Sequence, residues 1–152
     1  MNAFTESQRF HQWWIWTLLV AALLITTVPL LLTDAGKEPF AWGGPIVTLL
    51  VILLIYVWRL DTKIDEQGIH YQVFPVFTWR TIPWTSIQSA TVTHYGWVGY
   101  GIRLGFDGWV YNIAGSKGLR ITKKGNTIIT IGTQRPDELQ AFLISQQSLI
   151  TT

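Results

Sequence analysis

Two patterns of apolar and polar positions divide this chain. In residues 10–33 and again in 39–58 no Asp, Glu, Lys or Arg occurs, and leucine, isoleucine and valine crowd the centre of each run. From Arg59 onward the period changes to two. Ile69, Tyr71 and Val73 alternate with His70 and Gln72; Ile102, Leu104 and Phe106 with Arg103 and Gly105; Trp109, Tyr111 and Ile113 with Val110 and Asn112; Leu119 and Ile121 with Arg120 and Thr122. An uncharged run of about 20 residues makes a helix about 30 Å long, the thickness of a bilayer's hydrocarbon core. Strict alternation describes strands buried on one face.

The first half therefore predicts a transmembrane helical hairpin over 13–58, with spans at about 13–33 and 42–58 behind a polar leader at 1–12. In lipid the backbone must satisfy its own hydrogen bonds, so each span is a helix. The first run is too long for the apolar region of a secretory signal, and VPLLLT offers no cleavage site. Pro29 lies near the far end of its helix, where a lost backbone bond costs least. Gly36 and Pro39 break the chain between the spans, which makes them antiparallel neighbours. The aromatic residues fall at the ends of the runs. Trp13, Trp14 and Trp16 open the first, Trp42 opens the second, and Trp58 closes it beside Arg59, as expected of a membrane-interface belt. Arg9, Arg59 and Lys63 flank one side against Lys37 on the other, which places both termini in the cytoplasm. Thr17, Thr26, Thr27 and Thr48 are expected to bond back to the preceding turn. With no ionisable side chain at membrane depth, the hairpin reads as an anchor.

The second half, 59–152, predicts about seven antiparallel strands, near 62–66, 69–75, 77–82, 88–95, 101–106, 109–114 with 119–123, and 127–132. Turn signals separate them: EQG at 66–68, DG at 107–108, SKG at 116–118 and KKGN at 123–126. Then Pro136, Asp137 and Glu138 open a helix whose Leu139, Phe142 and Leu143 make an apolar stripe. A curled sheet closed at one end by a single C-terminal helix is a pleckstrin-homology-like (PH-like) barrel arrangement.

Composition adds exclusions. Only 13% of the 152 residues are charged, against a usual value of about 25%. The formal net charge of +2 is too small to argue for nucleic acid. There is no cysteine, so there is no disulfide, thiolate nucleophile or cysteine-based zinc site. His11, His70 and His94 share no metal-ligand spacing, and Asp61, Asp65 and Glu66 read as a solvated strand and turn. No catalytic constellation, phosphate loop or cofactor motif is legible, so the chain reads as an interaction module and not an enzyme. An enzyme with a composite site is the remoter alternative.

Two sets of side chains are candidates for binding. Tyr95, Trp97, Tyr100, Arg103, Tyr111 and Asn112 place aromatic rings beside a lone arginine, the composition of interface hot spots. Core filling competes with that reading, because a domain under 100 residues needs large side chains. Lys117, Arg120, Lys123 and Lys124 are the candidates for an anionic lipid headgroup. A strand over 119–123 separates its flanking lysines by about 17 Å, which argues against convergence on one headgroup.

The order IDEQGIHYQVFP, TIPWTSIQSATV, YGIRLGFDGWVYNIAGSKGLRI and IITIGTQRPDELQAFL resembles bacterial membrane-anchored PH-like domain proteins, over about residues 60–146. The resemblance rests most on IPW at 82–84 and on the elements between Tyr100 and Leu119. It implies a PH-like fold tethered at the cytoplasmic face of a bacterial inner membrane, and it carries over no catalytic activity and no cofactor. The partners it leaves are membrane lipids around the two helices and a membrane protein or a second copy of the chain.

Overall fold

The structure is a computed structural model that describes residues 3–94, 101–105 and 108–146. It divides into two compact units, Phe10–Trp58 on one hand and Met1–Arg9 with Arg59–Thr152 on the other.

The first unit is a helical hairpin. Helix α1 runs Trp13–Leu32, two short 3-10 turns follow, and helix α2 runs Gly43–Val57. Two segments, Trp13–Leu32 and Pro39–Val57, are long and apolar enough to cross a membrane. Their apolar side chains are uncovered: Ile25 is 73% and Leu32 79% exposed, and Pro45 is the one buried residue of α2. The helices are antiparallel, since Trp16 meets Tyr56 edge-on at 6.5 Å near one end and Gly44 faces Thr26 near the other. As expected, Thr17, Thr26 and Thr48 donate to the carbonyls of Trp13, Ala22 and Gly44, whereas Thr27, expected to do the same, keeps a buried hydroxyl that makes no such bond. Those three hydroxyls are thereby satisfied within their own helices.

The second unit holds two sheets and a helix. Strands β1 (Phe4–Arg9), β2 (Arg59–Asp65), β3 (Gly68–Phe74) and β4 (Phe77–Pro83) form an antiparallel sheet in that order. Strands β5 (Ile87–His94), β6 (Gly101–Gly105), β7 (Gly108–Asn112), β8 (Lys117–Lys123) and β9 (Ile128–Gly132) form the other, in the order β5-β8-β9-β7-β6. Helix α3 spans Pro136–Ser145. The two sheets are separate and do not close into a barrel.

Besides the barrel expected from the sequence, three further expectations change. Residues 4–9, expected within a leader, are a strand of the folded domain, paired along β2 from Phe4 with Ile64 to Arg9 with Arg59. The strands are not all antiparallel, because β9 returns beside β7 in the parallel sense, with Trp109 opposite Ile129. Leu104, expected to face inward, is 70% exposed, and its cross-strand neighbour Trp109 is 46% exposed, because that part of the sheet face is left uncovered by the described residues. Phe106 lies outside the described residues.

The alternation elsewhere translates directly into burial. Ile69, Tyr71 and Val73 of β3, Leu119 and Ile121 of β8 and Leu139 of α3 are all core side chains, each at most 3% exposed. Truncating one such isoleucine or leucine to alanine costs about 2–5 kcal/mol. The chain crosses from one sheet to the other at Trp84–Ser86. There Ile82 and Trp84 are buried, and the indole N–H donates to the Asp65 carbonyl at 2.9 Å. Two glycines are required by close approach. A Cβ at Gly68, where φ is +150°, would meet the Ile82 carbonyl at 2.3 Å. One at Gly108, where φ is +136°, would meet that of Ile128 at 2.1 Å.

Candidate functional site

A cleft of about 680 Å³ lies between the sheets, walled by β3 and β4 on one side and by β6, β7, β8 and β9 on the other. Its floor is aromatic. Tyr71, Phe77 and Tyr111 meet pairwise with ring centroids 5.2 to 5.8 Å apart, tilted or edge-on. The Arg80 guanidinium lies over the Phe77 ring, 4.3 Å from its centroid, and Lys123 at the end of β8 lines the same space. Ring contact holds the planar guanidinium, which also donates a hydrogen bond to the Tyr71 hydroxyl. Burial pushes the Tyr71 hydroxyl up to about 12; the neighbouring Tyr111 phenol adds to the shift and Arg80 opposes it. At neutral pH Tyr71 is therefore a protonated donor.

A second cavity of about 440 Å³ lies between β5 and α3. Lys117 and Asp137 both line it, so its walls carry both signs of charge. Among the described residues no group of His, Asp or Glu is arranged to hold a metal ion. His70 is a hydrogen-bonded strand residue, with Nδ1 2.8 Å from the Thr81 hydroxyl and Nε2 2.9 Å from Asp65. Lys63 beside Asp65 holds that carboxyl well below the usual carboxylate range against the cost of burial, with His70 and the Gln67 N–H contributing. Asp65 thus caps the β2–β3 turn.

Of the hot-spot set, Tyr95, Trp97 and Tyr100 lie outside the described residues. Tyr111 and Asn112 are buried, at 5% and 2% exposure. Tyr111 belongs to the aromatic floor, and the Asn112 amide donates to the Gly115 carbonyl at 3.1 Å. These two side chains are core, because β7 lies inside its sheet between β9 and β6. Arg103 is half-buried at the middle of β6, opposite Val110.

The cationic set is spread along β8. Lys117 opens the strand beside the α3 cavity, and Lys123 ends it at the inter-sheet cleft. Arg120 stands between, on the side opposite buried Leu119 and Ile121. Lys124 is exposed in the following turn, its backbone N–H donating to the Ser86 carbonyl. These four do not gather at one point. Arg80, absent from either set, joins Lys123 only because sheet packing brings β4 and β8 to one cleft.

At the expected membrane interface, Trp13 and Trp14 are exposed and Trp16 donates to the Phe10 carbonyl at 3.0 Å. Trp42 donates to that of Gly36 at 2.9 Å, and Trp58 meets Phe10 edge-on at 6.4 Å. Arg59 begins β2 and pairs with Asp61 at 3.0 Å, 5.3 Å from the centre of the Phe74 ring.

Comparison with protein-family models, curated proteins and solved structures gave no match.

Proposed function

We propose that this chain is a membrane-tethered, non-catalytic binding module. Its PH-like β domain stands at the cytoplasmic face of a bacterial inner membrane and engages a membrane protein or a second copy of itself. The observation that carries the reading is the register of β1 and β2. Arg9 pairs with Arg59, so the apolar hairpin Phe10–Trp58 is an insertion between two hydrogen-bonded strands. A domain tethered at both ends of such an insertion has little freedom to leave the bilayer surface. The excess of Arg9, Arg59 and Lys63 over Lys37 supports the cytoplasmic side. The resemblance of 60–146 to membrane-anchored PH-like proteins supports the class of module. Within the hot-spot set, half-buried Arg103 on the edge strand β6 is the described residue best placed to meet a partner.

The test is photo-crosslinking in intact cells from position 103, with exposed Gln88 on β5 as control. Discrete adducts from position 103 and none from position 88 support the reading. The same diffuse labelling from both positions overturns it.

A second reading, an anionic-ligand site, is favoured by the joint placement of Arg80 and Lys123.

A further inference from the structure

We infer that the cleft between the two sheets binds one anionic amphiphile, a carboxylate or phosphate head on an apolar body. Arg80 and Lys123 receive the head, and Val76, Ile102, Trp109 and Ile129 enclose the body. This rests on the membrane-tethered reading only for where the cleft is displayed.

The charge argument comes first. Arg80 and Lys123 both line the cleft, and none of the described residues lining it is Asp or Glu. Neither cation forms an ion pair among the described residues. Arg80 is exposed and Lys123 half-buried on the same cleft, so an anion entering it meets two positive charges and, among the described residues, no negative one. The α3 cavity, where Lys117 and Asp137 stand together, has no such imbalance.

The walls decide what the anion is carried on. A free phosphate or a sugar phosphate would leave the exposed apolar side chains of Val76 and Trp109 uncovered. The volume falls within the range of about 300–1,000 Å³ typical of small-molecule sites, and a mostly apolar lining with few polar groups is their usual make-up. Trp109 and Val76 are 46% and 53% exposed, so apolar surface continues to the mouth of the cleft. Arg80 is already held over Phe77, which reduces the ordering cost of binding. Tyr71 and Tyr111 line the cleft from its buried floor.

The full chain in nanodiscs of zwitterionic phosphatidylcholine is titrated with octanoate and octyl phosphate, with octanol as the neutral control. The same measurement is made in discs containing phosphatidylglycerol, with no added ligand. Saturable binding near one per chain is expected for the two anions. Octanol, and the double variant Arg80→Gln/Lys123→Gln, should bind at least about tenfold more weakly, as loss of charge-assisted hydrogen bonds implies. Lys117→Gln should bind as the unmodified chain does. Binding confined to phosphatidylglycerol discs and dependent on Arg80 and Lys123 would identify a membrane lipid as the source of the same chemistry. Octanol binding equal to octanoate, or binding unchanged in the double variant, overturns the inference. If the double variant loses its thermal transition, the preference of the unmodified chain for octanoate over octanol decides alone. Co-elution with the disc reports the anchor separately, so a chain that incorporates and does not bind refutes the cleft and leaves the tether standing.

Discussion

Arg9 and Arg59 face each other as the last register pair of β1 and β2, although the whole of Phe10–Trp58 separates them in sequence. The helical hairpin is therefore the loop of a β-hairpin, and the strand ahead of the first helix belongs to the domain behind the second. Phe4, Glu6 and Gln8 turn inward from β1, at 6%, 9% and 1% exposure. Removing residues 1–9 would uncover the edge of β2 and leave the partners of those side chains unfilled. The expected outcome is a truncated chain that still enters the membrane but has lost the cooperative thermal transition of the β domain. Near-ultraviolet circular dichroism on both forms in detergent would show it. An unaltered transition would mean that β1 contributes nothing to the fold.

Within β1, Glu6 has a defined task. One carboxylate oxygen accepts from the Thr133 hydroxyl at 2.6 Å and the other from the Gln134 N–H at 2.7 Å. Gln8 donates to the Gly132 carbonyl at 2.6 Å beside them. These bonds tie the edge of the first sheet to the end of β9. Glu6→Ala leaves the buried Thr133 hydroxyl and the part-buried Gln134 N–H without their acceptor and should destabilise the domain by about 1–3 kcal/mol. Glu6→Gln keeps one acceptor and should cost roughly half as much. In the presence of Thr133→Val, Glu6→Ala should cost markedly less than alone, which denaturant titration of the four proteins can read. Strict additivity would refute the coupling.

This strand was hidden in the sequence for a physical reason. FTESQR buries one aromatic and two polar side chains, so no apolar alternation announces it. What makes Glu6 and Gln8 tolerable inside is a set of partners at 132–134, far along the chain. The helical hairpin was legible because its pattern is local and complete, as were β3 and β8, whose alternation survives in the burial of Ile69, Tyr71, Leu119 and Ile121. Leu104 misled because alternation marks a face without saying whether another layer covers it. The cleft was illegible for the same reason as β1. Arg80 and Lys123 belong to different sheets, and neither neighbours the other in any strand register.

Tyr71 gives the domain a dependence on alkaline pH. Its hydroxyl titrates near 12 in the folded chain against 10.0 when unperturbed, because burial disfavours the phenolate. Between those values the folded state holds a proton that the unfolded state has released. Stability from this group is thus complete below pH about 10 and is lost as pH rises toward 12. Urea titrations of the unmodified chain and of Tyr71→Phe at pH 9 and pH 11 would isolate it. The stability difference between the two proteins should shift in favour of Tyr71→Phe at the higher pH. A difference that stays constant would place the Tyr71 hydroxyl in contact with solvent.

The register of β1 and β2 also constrains topology. Chain leaving Arg9 enters α1 through Phe10, and chain leaving α2 through Trp58 enters β2 at Arg59. Because Arg9 and Arg59 are paired, both outer ends of the hairpin must lie on the domain's side of any bilayer it crosses. An arrangement with β1 on one side and β2 on the other would break every pair from Phe4 with Ile64 to Arg9 with Arg59. The folded domain thus enforces two spans or none, and excludes one. Under the proposed function, the balance of Arg9, Arg59 and Lys63 against Lys37 favours the cytoplasmic side for the domain. A reporter active only after export should work when fused at Gly36 and fail when fused after Gln146. Changing Arg9 and Lys63 to glutamine while adding two lysines beside Lys37 weakens or reverses the bias. The expected result is a fall in insertion or an inversion of both reporters together. Export of one domain terminus without the other would show that β1 and β2 separate in the membrane-inserted chain, and would sink the paired-strand account.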